Sequence, residues 1–287
     1  MSGPGASDIE VELLPEFGAR LHRLRVFGHD LLRTPEDLSM HAREPFEWGA
    51  YVMAPWCNRM AAGPTVVGDR VVDVSANHTD GTALHGQAYL APWHALADGS
   101  LAFRGGGDAW PWPYETRLRV TTADRVMTIE QTLTNLADTP MPAGLGIHPW
   151  FRRPLDVRID ARSVLASNVD LDAQISPARG PFDLRTMQPM PVDLDATWLD
   201  VGDPAVQLRW PTLGIRAELR VRSDAEVCIV AASPTRLGAV AIEPETHAPQ
   251  GLRRFLRTEP GGLHPLEPGA TLHLTTDLAF SRDMQGA

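Results

Sequence analysis

The chain has 287 residues, 43% of them hydrophobic, with Lys+Arg 26 against Asp+Glu 36 and a net charge of −10. That is enough apolar material for a sizeable core, without the basic excess of a non-specific nucleic-acid binder or a polybasic membrane anchor. All 26 basic residues are arginine, which excludes Schiff-base lysine chemistry and a phosphate-loop lysine and leaves His, Asp, Glu, Arg, Tyr, Ser or Cys for any catalysis.

Residues 1–8 carry neither a positive n-region nor an apolar h-region and read as a loose N-terminal tail, and no apolar run approaches the roughly 18 residues of a membrane span. A soluble, cytoplasmic protein is expected. Segments 8–13, 21–27 and 47–53 read as strands. In 65–74, Val-rich runs flank Gly68-Asp69, which can supply the positive-φ turn of a hairpin. Segment 115–122 puts Leu118 and Val120 on one side and Arg117 and Arg119 on the other, and 125–134 continues the alternation as its hairpin partner.

Pro111-Trp-Pro113 and 177–191 read as loops. Beyond them, 215–221, 227–231, 239–242 and 271–280 are strand candidates, and 250–256 is one or two helical turns. No long stretch holds a 3.6-residue stripe, no repeat recurs, and Gly 24 with Pro 25 favours turns over helices. The expectation is an all-β chain of many antiparallel strands forming one domain over 1–287. Cys57 and Cys228 have no Cys-x-x-Cys spacing and are expected to be reduced, half-buried thiols. Neither a disulfide framework nor a metal site is implied.

Four short segments place catalytic-type side chains beside Gly, Pro or an aromatic ring. Ala54-Pro-Trp-Cys-Asn-Arg-Met-Ala-Ala-Gly63 follows an apolar strand, so Asn58 and Arg59 fall at a strand-to-loop transition where a guanidinium can hold paired hydroxyls or a carboxylate. Ala83-Leu-His-Gly-Gln-Ala-Tyr89 offers His85 and Gln87, and Leu145-Gly-Ile-His-Pro-Trp-Phe151 offers His148 and Trp150. In Gly238-Ala-Val-Ala-Ile-Glu-Pro-Glu-Thr-His-Ala-Pro-Gln250, Glu243 follows a strand too apolar for the surface, and burial raises a carboxyl into the range of a base near neutrality. Each is also compatible with a plain structural role; the set of four is more specific.

Asn-Arg-x-x-x-Gly, Leu-His-Gly, Gly-x-His-Pro-aromatic-Phe and Glu-Pro-x-Thr-x-x-Pro, in this order over about residues 10–280, resemble the aldose 1-epimerase (galactose mutarotase) family. The resemblance implies a large antiparallel β-sandwich of the galactose mutarotase-like type. It also implies interconversion of the α and β anomers of a free aldose, with no cofactor. By position it implies His148 as general acid at the ring oxygen, Glu243 as general base on the C1 hydroxyl and His85 holding the polarised ring oxygen. Arg59 and Asp195, the latter in Leu194-Asp-Ala-Thr-Trp198, would fix hydroxyls.

Catalysis in this scheme needs His148 protonated while Glu243 is ionised. Asn58, Gln87 and Trp150 are further candidate sugar contacts, with His78, Trp56 and Trp93 behind them. Glu245 is an alternative base, and Gln250 stands where similar proteins often carry Asp. Arg152-Arg153 and Arg253-Arg254 keep a hexose 6-phosphate substrate open. A non-catalytic carbohydrate-binding module, or a glycosidase using Glu243 with Asp195, are the remaining readings. The expected partner is a small sugar rather than nucleic acid or membrane, and the protein is expected to be a monomer or homodimer.

Overall fold

A computed structural model describes residues 7–283. The strand Tyr114–Ala123 pairs antiparallel with Val126–Asn135 in an uninterrupted ladder from Tyr114↔Asn135 to Ala123↔Val126. Met127, Ile129, Leu133 and, unusually, Gln131 and Asn135 turn inward along the second strand. This is the alternation expected where one sheet face covers a core. Gly63–Val67 and Arg70–Val74 form the second expected hairpin, with Gly68 at φ +63° in its turn.

Antiparallel pairing runs without a break around a strongly curled sheet. One half passes from Ile9–Leu14 through Arg20–Val26, Ala50–Met53, Gly146–Arg152 and Ala239–Glu245 to Cys228–Ala232. The other passes from Ile215–Ser223 through Thr271–Arg282, Val126–Asn135 and Tyr114–Ala123 to Leu101–Gly105. The 16-residue strand Asp195–Trp210 belongs to both. Its first residues pair with Cys228–Ala232, its last with Ile215–Ser223, and Asp156–Leu165 runs along its other edge with a bulge between Ile159 and Ala161. Bulges bend a strand and sharpen its twist, which lets one strand serve two layers.

Between the layers lies one extensive apolar cluster that includes Trp110, Trp112, Trp198, Trp210, Phe151 and Leu133. Gln131 crosses it, its amide donating to the main-chain oxygen of Gly146 at 2.9 Å. Its amide nitrogen is thereby satisfied where it is buried, while its side-chain oxygen finds no protein donor. The helical turns fall at Gly251–Arg257.

Two expectations are corrected. Gly146–Arg152, Asp156–Leu165 and Asp195–Trp210 are strands that alternation did not reveal. The first is buried on both faces, and the last passes through Asp200, Gly202, Asp203 and Pro204, residues that ordinarily mark a turn. Cys57 and Cys228 are fully buried, not half-buried, and both are free thiols. The tail assigned to 1–8 lies mostly outside the described residues. Asp8 itself is fastened, accepting the Phe27 N–H at 2.8 Å and pairing with Arg125 at 2.7 Å. Among the described residues no helix is long and apolar enough to cross a membrane.

Leu133, fully buried at the centre of the cluster, should cost about 2–5 kcal/mol when changed to Ala. Val66→Ser on the exposed hairpin should stay within about 0.5 kcal/mol. Chemical-denaturation midpoints compare the two, and equal effects would contradict the assigned core.

Candidate active site

The register of two neighbouring strands brings the site together. Gly146–Arg152 and Ala239–Glu245 pair so that Gly146 faces Glu245 and Trp150 faces Ala241, which sets His148 opposite Glu243. On the other side His148 lies opposite Tyr51, and the two rings stack with centroids 4.5 Å apart. His148 Nε2 comes within 3.3 Å of a Glu243 carboxylate oxygen. Both side chains are almost wholly buried at the base of a cavity of about 610 Å³.

His85 stands edge-on to His148 at 5.1 Å. It follows the strand Thr82–Leu84 at φ +62°, and Asn58 reciprocates from its own left-handed conformation at φ +52°. The Asn58 N–H donates to His85 Nδ1 at 3.1 Å, and the His85 N–H donates to the Asn58 carbonyl at 3.2 Å. Because Nδ1 is an acceptor, the proton of the neutral ring is on Nε2. The glycine of Leu-His-Gly is required: a Cβ on Gly86 would lie 2.2 Å from the Ala54 carbonyl oxygen, and its φ is +75°.

Arg59 opens the strand Arg59–Ala61 and is clamped between two carboxylates. Its Nε donates to Asp80 at 2.8 Å and a terminal nitrogen lies 3.4 Å from Asp195. Asp80 also holds His78 at 3.0 Å, and the Asn168 amide donates to Asp195 at 2.6 Å. Burial works to raise the Asp80 carboxyl, but hydrogen bonds from Thr82, Arg59 and His78 outweigh it and hold the group well below the usual carboxylate range. Gln250 fixes the strand itself: its N–H donates to the Arg59 carbonyl at 2.8 Å and its side-chain oxygen accepts the Ala61 N–H at 3.2 Å.

Burial decides the charge of the central pair. Desolvation lowers His148 to about 3 and lowers His85 well below its ordinary value, with His148 the next cause. Glu243 is raised to about 8, by burial first and by the Asp195 charge second. At neutral pH the resting pair therefore carries one proton, on the carboxyl, and both imidazoles are neutral. The form that catalysis needs, an imidazolium beside a carboxylate, is therefore not the resting one. Opposite charges attract, but two ions moved from water into the interior lose more solvation than the contact returns.

Asn58, Arg59, His78, His85, His148, Trp150, Asp195 and Glu243 all line the cavity, and Glu245 does not. Gln87 does not reach it either. The left-handed turn at His85 and Gly86 sends Gln87 away, and its amide bonds Gly106 and the Tyr114 hydroxyl at 3.2 and 3.0 Å. Trp56 packs on Trp110 and Trp93 on Phe103, in the interior. The arginine pairs are absent from the lining as well: Arg153 and Arg254 donate to main-chain carbonyls, Arg152 donates to Leu32, and Arg253 pairs with Asp172.

Sequence reasoning missed Phe46, Tyr51 and Asp80. Phe46 packs against His85 at 5.7 Å and Tyr89 at 5.0 Å, forming an aromatic wall. Tyr51 sits in the expected 47–53 strand, but Ala50–Met53 is apolar and buried on both faces, so no alternation singled it out. His85, His148 and Glu243 are the one group of three or more His, Cys, Asp or Glu side chains among the described residues whose ligating atoms all lie within 4.8 Å of one another. With His85 Nδ1 engaged by Asn58 and His148 Nε2 facing Glu243, its arrangement is that of proton-transfer groups.

Comparison with known proteins bears on the family and the fold. The family model described as Aldose 1-epimerase matches residues 10–276. None of the curated proteins matches the chain. Among solved structures, a galactose mutarotase-like protein from Clostridium acetobutylicum has a TM-score of 0.81 at 17% identity, covering 96% of this chain and 93% of its own. An aldose epimerase homologue from C. elegans has 0.80 at 17%, covering 96% and 97%, and a galactose 1-epimerase from Lactobacillus acidophilus NCFM has 0.75 at 15%, covering 97% and 93%. These likenesses identify the fold as galactose mutarotase-like.

The raised Glu243 has a consequence for stability. The folded state holds a proton up to about 8 that the unfolded chain, at its ordinary 4.5, releases. Its contribution is full below pH 4.5 and is lost as pH rises to about 8. Glu243→Gln should therefore gain melting temperature over the wild type from pH 5 to pH 8, by about 1 kcal/mol per pH unit. A constant difference across that range would contradict a neutral buried carboxyl.

Proposed function

The chain belongs to the aldose 1-epimerase family, and from that premise we propose that it is a mutarotase interconverting the α and β anomers of a free aldohexose. The observation that carries the reading is the buried His148–Glu243 contact at 3.3 Å on the floor of a cavity of sugar size. Anomerisation needs one proton taken from the C1 hydroxyl and one given to the ring oxygen. The pair carries one proton in all, so the two deliveries are linked.

Passing the proton from the Glu243 carboxyl to His148 makes a carboxylate and an imidazolium. Glu243 then accepts the O1 proton as His148 protonates O5. The C1–O5 bond breaks with its electrons going to oxygen, and the C1–O1 bond becomes the carbonyl. Rotation about C1–C2 and the reverse transfers close the ring on the other face and return the proton to Glu243. His85, with its Nε2–H, supports the ring oxygen. Arg59 and Asp195 are placed for vicinal hydroxyls, and the Trp150 ring for an apolar sugar face.

A free sugar is favoured over a phosphorylated one. Glu44, Glu47, Asp193 and Asp195 line the cavity, and its two arginines are taken, Arg59 by Asp80 and Asp195 and Arg236 by Glu47. Glucose should therefore turn over faster than glucose 6-phosphate, and the reverse preference would reject this substrate class.

Polarimetry with fresh α-glucose or α-galactose tests the assignment. His148→Asn and Glu243→Gln should each slow the catalysed rate by about 10²- to 10⁴-fold. Acceleration that survives both changes would end it. Below about 3 the pair gains a second proton and above about 8 it has none, so kcat/KM should hold between these limits and fall on either side. An activity that climbs steadily beyond pH 9 would contradict the shared proton.

A further inference from the structure

Two rows of side chains cross the sheet beneath the cavity. In the upper row Tyr51, His148 and Glu243 stand side by side. In the row below, one step further from solvent, are Met53, Gly146, Glu245 and Cys228. Glu245 is completely buried. Gly146 makes room for it, since a Cβ there would lie 2.7 Å from Met53, 2.8 Å from Cys57 Sγ and 3.1 Å from Glu245 Cγ.

Glu243 and Glu245 stand two residues apart on one strand, so their carboxyls share a face of the sheet, and both are buried. Neither Glu245 oxygen has a well-aligned donor from the surrounding protein, nor does the second Glu243 oxygen. As two carboxylates they could only repel. A proton on one of them turns the contact into a charge-assisted hydrogen bond when the other ionises.

The surroundings decide which keeps it. Glu243 has His148, Asp195 and Arg59 about it and opens to the cavity. Glu245 has the buried thiols of Cys57 and Cys228, and no cation contacts it among the described residues. We propose that Glu245 is a positioning residue that stays a carboxylic acid and donates its proton to Glu243, holding the ionised form of the base in a site with little water. The proposal rests on Glu243 being the base.

Burial raises Glu245 well above the ordinary carboxyl range, and Glu243 beside it adds to the rise. For Glu243, by contrast, the neighbouring Glu245 carboxyl and the Arg59 charge offset part of the rise caused by burial and Asp195. During anomerisation the carboxylate formed when Glu243 hands its proton to His148 is thus already hydrogen-bonded from below. Glu245 neither gains nor loses a proton over the cycle.

The sign of a shift tests this. Leu in place of Glu245 removes the donor, so the alkaline limb of kcat/KM should move up by about one pH unit and kcat should fall on the order of tenfold, as for a lost hydrogen bond to a charge. Glu245→Gln keeps a neutral donor, and its limb should stay in place with kcat within about threefold of wild type. A downward move in Glu245→Gln would mean that Glu245 is charged in the native protein and would overturn the proposal, as would an unmoved limb in a folded Glu245→Leu.

Infrared titration gives a readout that needs no turnover and stands if the Leu variant does not fold. At about pH 9.5, above the Glu243 titration, wild type should retain one buried protonated-carboxyl band that Glu245→Gln lacks. Absence of the band overturns the proposal. If the wild type fails to mutarotate any sugar while the band and the Glu243 titration behave as described, the functional reading falls and the carboxyl pair remains.

Discussion

An imidazole and a carboxyl held 3.3 Å apart and removed from water impose the constraint on which this site is built. In solvent such a pair would exist as ions. In the interior the solvation lost on charging both groups exceeds their attraction, so the pair rests neutral with one proton. The ionic state becomes accessible only where fixed dipoles replace water. Much of the remaining architecture supplies those dipoles: the Asn58 and His85 main chains that lock each other, the clamped Arg59 and the protonated carboxyl proposed beneath the base. Preorganised groups of this kind need no rearrangement as charge develops.

The fold delivers that precision through hydrogen-bonded register. His148 and Glu243 are cross-strand neighbours, so their separation is set by the sheet and varies little. The groups proposed to meet sugar hydroxyls come instead from points where the regular backbone ends, and there the chain is held by unusual means. Asn58, His85 and Gln250 all adopt left-handed conformations, and each main chain is bonded to another segment of the site. Strain at such positions persists only where the surroundings over-determine it.

Much of this was legible in the residues. Alternation in 115–134 and 65–74 located hairpins because each has one wet face. The motifs around Asn58, His85, His148 and Glu243 located the cavity lining because glycine, proline and aromatic neighbours leave those side chains little freedom. What failed did so for physical reasons. Gly146–Arg152 is covered on both faces and so shows no period. Asp195–Trp210 continues through residues that elsewhere break strands, because it must bend between two layers. Gln87 was misplaced because a left-handed residue resets the parity of everything after it. That the form needed for catalysis is not the resting one was not legible either, since a pairwise view of attraction omits desolvation, and the depth of burial is a property of the assembled sheet.

The clamp on Arg59 has a meaning for how a substrate arrives. A guanidinium already shared by Asp80 and Asp195 presents oriented N–H groups but projects little net field into solvent, and the carboxylates lining the cavity are balanced in part by Arg236. The uncharged sugar proposed as substrate has no charge for such a field to act on. Its encounter is then governed by diffusion and by the release of water from the aromatic wall, with ionic strength having little leverage over the rate. In the proposed function, arginine selects by the direction of its hydrogen bonds after contact, and not by attraction at a distance.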